Sequence, residues 1–73
     1  MKITYFKDTD TLLLTLNNNR IADTKDFNED ILLEFDQTGN LVNITIEHAS
    51  KKANMTDFSY NQIESDLQTA EVP

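Results

Sequence analysis

The chain has no cysteine, no tryptophan, one glycine, one proline and one histidine in 73 residues. Without cysteine, disulfides and thiolate metal sites are excluded. A lone histidine is too few for a typical zinc site. No apolar run approaches the length of a membrane span, and the start, MKITYFKDTD, alternates and turns acidic instead of opening a signal peptide. The expectation is a cytoplasmic protein with no membrane partner. Basic residues are also scarce: 6 Lys plus Arg stand against 13 Asp plus Glu, a formal net charge of −7. Phosphate contacts dominate nucleic-acid affinity, so this balance repels nucleic acid. Lys51-Lys52 is a basic pair and not a stripe. The acidity keeps a small protein soluble, and it suits a basic protein partner.

What the chain does have is alternation. In Ile31 to Ser50, Ile31, Leu33 and Phe35 alternate with Leu32, Glu34 and Asp36, and Val42, Ile44 and Ile46 alternate with Asn43, Thr45 and Glu47. Period two places each apolar set on one sheet face. The intervening Asp36-Gln37-Thr38-Gly39-Asn40 reads as a turn. Asp36 opens it by bonding a backbone N–H two residues on, and Gly39 supplies the left-handed residue that enters the return strand through a bulge.

Lys2 to Phe6 and Thr11 to Leu16 read as two earlier strands, joined by the polar turn Lys7 to Asp10 and ended by Asn17-Asn18-Asn19. Arg20 to Phe27 permits a short edge strand, where its charges block unwanted pairing. Ala49 to Asn54 has room for one helical turn. Ser59 with Gln62 fits a capping box, and Phe58 with Ile63 a hydrophobic staple. Tyr60, Ile63 and Leu67 then share a helix face; the competing reading is a short strand, since Phe58 and Tyr60 also alternate. The sequence therefore predicts an α+β domain, mainly β. An antiparallel meander of four or five strands spans residues 1–56, and a short helix and frayed tail span 57–73.

The pattern at Tyr5, Asp10, Leu12 and Leu16, then Ile31 to Asp36, Gly39, Leu41-Val42, Ile44, Ile46 and Ala49-Ser50, resembles a family of small bacterial proteins known as domain of unknown function 2283. The resemblance covers roughly residues 1 to 50. It implies a tyrosine-bearing strand, an acidic turn, a Leu-rich strand and an acidic hairpin closing on an Ala-Ser pair. The family usually has Gly where Asn43 stands, Glu where Thr45 stands and an acid where His48 stands. Any activity needing that Glu would be missing here. Some members look like partners of small toxin-like proteins encoded beside them, which implies an antitoxin-like role.

Candidate chemistry is sparse. Asp8-Thr9-Asp10 offers alternate acids to a divalent cation, but Thr11-Leu12-Leu13-Leu14 follows where a calcium loop needs more ligands, a Gly and a closing Glu. His48 is a possible general base, yet adjacent Glu47 points to the opposite face of a strand. Glu34, Asp36, Thr45 and Glu47 share the outer face of the hairpin, where carboxylates stay solvated. Asn43-Ile44-Thr45 and Asn54-Met55-Thr56 match the glycosylation sequon by chance, for want of a secretory signal. Within their strands, Leu13 and Leu32 lie opposite the main apolar set, and exposed leucines there need a cover. The candidates are Tyr60, Ile63 and Leu67, or a second molecule.

The expectation is a non-enzymatic protein-interaction module without cofactors, either a homodimer or the acidic half of a small complex with a basic protein. The alternative is a small enzyme or metal-binding protein using Asp8 and Asp10 or His48.

Overall fold

The computed structural model describes residues 1–64. Five strands form one antiparallel sheet: β1 (Lys2–Phe6), β2 (Thr11–Thr15), β3 (Asp23–Asn28), β4 (Ile31–Phe35) and β5 (Leu41–Glu47). The spatial order is β1-β2-β5-β4-β3. A plain meander is thus corrected. Two tight-turned units, β1–β2 and β3–β4–β5, meet where the last strand pairs with the second.

Side-chain chemistry explains the order. β5 is LVNITIE and β3 is DTKDFN. The more apolar strand takes the centre, flanked on both sides. The polar one takes the edge, where Asp23, Lys25 and Asp26 meet water and deter pairing with other chains. The Asn-rich segment after β2 does not turn back on it. It crosses the end of the sheet, held by Asn17 Nδ2 donating to the Leu41 carbonyl at 3.1 Å and Asn19 Nδ2 donating to Asp36 Oδ2 at 2.8 Å.

The β4–β5 turn forms as its sequence predicts. The Gly39 N–H donates to the Asp36 carbonyl, Gly39 has φ +90°, and the register shifts between Glu34 and Phe35. At the β3–β4 turn, Asn28 Oδ1 accepts the Asp30 and Ile31 N–H groups, and the register shifts between Asp26 and Asn28.

Register assigns the faces, because paired residues point the same way. One cross-sheet row runs Ile3, Leu14, Ile44, Leu33, Lys25, and the next runs Tyr5, Leu12, Ile46, Ile31, Asn28. This is the apolar face. On the opposite face the rows run Thr4, Leu13, Thr45, Leu32, Asp26 and Lys2, Thr15, Asn43, Glu34, Thr24.

After β5 the chain makes a 3-10 turn, Ala49–Lys51, in the segment with room for one. The helix expected over residues 58–67 is not found. Residues 58–64 hold no helix or strand, and Phe58, Tyr60 and Ile63 are exposed. A capping box and staple stabilise a helix only when its apolar face finds something to pack on. One this short is marginal in water otherwise. Leu67 lies outside the described residues.

Among the described residues only Val42 and Ala49 are buried. In these two rows the residues of the apolar face are half-buried, apart from Ile3, Lys25 and Asn28, which are exposed. A sheet hydrophobic on one face normally packs a second layer against it. Here the described chain supplies only the segment Ala49–Phe58, which borders the β1–β2 side.

Candidate functional site

The sheet brings its functional candidates to two places: the apolar face, and the end of the sheet where β5 runs into the 3-10 turn.

At that end Asp10 is the hub. It holds φ 56°, in the left-handed region that Asp tolerates better than most residues. Its carboxylate accepts three donors: the Tyr5 hydroxyl at 2.5 Å, the Ser50 N–H at 3.0 Å and the Ser50 hydroxyl at 2.8 Å. Its carbonyl accepts the N–H of buried Ala49 at 2.9 Å. The bond from Tyr5, and then those from Ser50, lower the Asp10 carboxyl from its ordinary value. The same bond raises the Tyr5 hydroxyl. The acid singled out as a possible metal ligand thus serves as a latch between the β1–β2 turn and the chain after β5. Asp8 is exposed and takes no part in it. Among the described residues no three His, Cys, Asp or Glu side chains gather as metal ligands.

Beside the latch is an open cleft of about 410 Å³ lined by Glu29, Asp30, Glu47, His48, Lys51 and Lys52. Its centre is Asp30, which accepts from Lys52 Nζ at 2.9 Å and lies 3.0 Å from His48 Nδ1. Lys52 first, and then His48, lower the Asp30 carboxyl. His48 is in the left-handed region, φ 57°, because the chain turns there out of β5 into the 3-10 turn. The sequence offered His48 no orienting partner, since adjacent Glu47 points to the opposite face of the strand. The partner is Asp30, 18 positions earlier, because the β3–β4 turn abuts the end of β5. The arrangement can hold or pass a proton. The hydroxyl of Ser50, two positions on, donates to Asp10.

The other carboxylates do not converge. Glu34 accepts from Asn43 Nδ2 at 2.9 Å. Asp36 is consumed by its own turn, taking the N–H groups of Thr38 and Asn40 and the side-chain amides of Asn19 and Asn40. Those bonds, led by the Asn40 N–H, hold its carboxyl far below the usual carboxylate range.

The apolar face carries a groove of about 380 Å³ with Ile3, Tyr5, Leu12 and Leu14 as its floor and Ala53 to Met55, Asp57 and Phe58 as its wall. Leu13 and Leu32, the leucines expected to need cover, lie on the opposite face. They flank Thr45 in one row and are half-buried. Among the described residues the segment after β5 borders the apolar face instead, and Tyr60 and Ile63 stand in solvent.

The residues drawn together by the latch are Tyr5, Asp10, Ala49 and Ser50, which are also those the sequence shares with a known pattern. A family model described as a protein of unknown function, DUF2283, matches residues 2–50. The chain belongs to the DUF2283 family. The match ends at Ser50, the last residue the latch holds, so the DUF2283 unit is the sheet plus its closure, and the segment that borders the apolar face follows it. No curated protein and no solved structure matches the chain. Periodicity alone gave no sign of the latch, since Tyr5 and Asp10 read as a face residue and a turn residue.

Proposed function

We propose that this DUF2283 protein is a non-enzymatic protein-interaction module whose working surface is the apolar sheet face. The observation that carries this is that the described residues supply no second layer over most of that face. Four of the five strands align Ile3, Tyr5, Leu12, Leu14, Ile31, Leu33, Phe35, Ile44 and Ile46 on one side, yet among the described residues only Val42 and Ala49 are buried. Contiguous apolar surface of this kind marks an interaction site. Its occupant is another molecule: a second copy, or a small basic protein drawn by the charge of −7.

Native mass spectrometry of the protein isolated from its host tests this. A complex of defined stoichiometry is expected. A free monomer whose apolar face exchanges no contacts with any partner would overturn the reading.

A second reading rests on the pairing of His48 with Asp30 in the polar cleft. It makes His48 a proton-transfer group oriented by a carboxylate. That reading expects a turnover with model esters or amides that His48→Gln abolishes. Identical traces for the two proteins would dismiss it.

A further inference from the structure

We infer that the occupant of the apolar face is a second copy of this chain, with residues 58–64 of each copy lying across the sheet of the other. The inference rests on the interaction-module reading and names the partner.

Charge is the first argument. On the strands, the apolar face carries only Asp23 and Lys25, of opposite sign and both at the β3 edge. Asp26, Glu34 and Glu47 lie on the opposite face with Lys2, Asp57 lines the apolar groove at its wall, Glu64 lies in the arm beyond Phe58, and the other described acids sit in turns and connections. A basic partner would therefore find little to pair with on this face. Stacked through their strands, two copies bring few acids together, and both acidic faces stay in water. Like charges set against each other suppress association, and this geometry keeps most of them apart.

The second argument is the segment that leaves the latch. It borders its own sheet at Met55 and Phe58 and then departs. Phe58 is 70% exposed, Tyr60 74% and Ile63 87%. Among its described residues, one chain therefore displays a sheet face that its own segment borders only on the β1–β2 side, and an arm that stands in solvent beyond Phe58. A second copy supplies the missing half of each.

Area is the third. Five strands about 4.8 Å apart, with about five residues of 3.3 Å each, present a projected face of roughly 400 Å². That alone is small for a stable dimer. Two aromatics at about 150–250 Å² each, with Ile63, bring each protomer to about 800 Å², the size of an ordinary stable interface. The arm makes the contact large enough, so the proposal includes it.

The test mixes protein carrying ¹³C-labelled methyl groups with unlabelled protein, under conditions where sedimentation fixes the mass. Twice the chain mass is expected, with intermolecular NOEs from the Ile44 and Leu33 methyls to aromatic ring protons of Phe58 and Tyr60. Phe58→Ala with Tyr60→Ala, at positions exposed in the single chain, should weaken the dimer more than tenfold and leave the sheet's amide spectrum in place. Ile44→Glu should give monomers, whereas Thr45→Glu, on the other face, should not. A dimer whose intermolecular NOEs come only from Leu13 and Leu32 overturns the inference. A monomer that binds an apolar dye, and loses it with Ile44→Glu, overturns the second copy while sparing the module reading. A monomer that binds no dye, and whose arm contacts Ile44 within its own chain, overturns both.

Discussion

A few single residues set the local geometry, and each has a distinct test. Gly39 holds φ +90°, and a Cβ built there meets nothing within 4 Å. The cost of a side chain is thus backbone strain alone, not a clash. Gly39→Val should destabilise by more than about 1 kcal/mol in urea unfolding, and Gly39→Asn by less, because Asn accepts positive φ. Equal midpoints for the two would remove the turn assignment. Asp36 sits in the same turn and has its carboxyl held far below the usual range. A carboxyl lowered on folding adds stability above its unfolded value, near pH 3.9, and loses it as pH falls through the folded value. Asp36→Asn should therefore melt below the wild type at pH 7, with the gap shrinking as pH drops below about 4. A gap constant across that range would mean the charge contributes nothing. This turn was legible in the sequence because Asp and Gly each admit one role at that spacing. The pairing of His48 with Asp30 was not, since no local pattern links a strand end to a turn 18 positions earlier.

At the level of elements, the β-hairpin from Ile31 to Glu47 and the first two strands could be read from alternation, because one buried face imposes period two. Alternation is blind to neighbour order, so the insertion of β5 between β2 and β4 could not be read from it. The relative polarity of DTKDFN and LVNITIE was the available signal. The helix expected at Ser59 failed for a related reason: a cap motif describes how a helix begins, not whether a surface awaits it. The latch is the element-scale device that joins the two tight-turned units at one end. Replacing Asp10 with Ala removes the acceptor for Tyr5 and Ser50. Amide exchange at Ser50 should then accelerate at least tenfold, while Ile44 and Leu33 in the sheet centre keep their protection. Uniform acceleration across the sheet would show that the latch governs global stability and not its own corner.

For the whole molecule, three acids drawn together with other groups in the described residues already have their ligand chemistry committed inside the fold. Asp10 serves Tyr5 and Ser50, Asp30 serves Lys52 and is paired with His48, and Asp36 serves its turn. Calorimetric titration with Ca²⁺, Mg²⁺ and Zn²⁺ should accordingly reveal no micromolar site. A stoichiometric heat at that affinity would contradict this and reopen the acidic turn as a centre of activity.

The central place of β5 also sets an order of events. The strand that bridges β2 and β4 is the last to be synthesised, and the residues that latch it, Ala49 and Ser50, come later still. On the ribosome, at about 5–20 residues per second, the nascent chain holds a β1–β2 hairpin and a β3–β4 hairpin with no common partner until residue 50 has emerged. Neither hairpin is stable alone in water. Every chain stopped upstream of β5 is then two unpaired ribbons with open edges, so premature termination yields aggregation-prone product instead of a smaller folded domain.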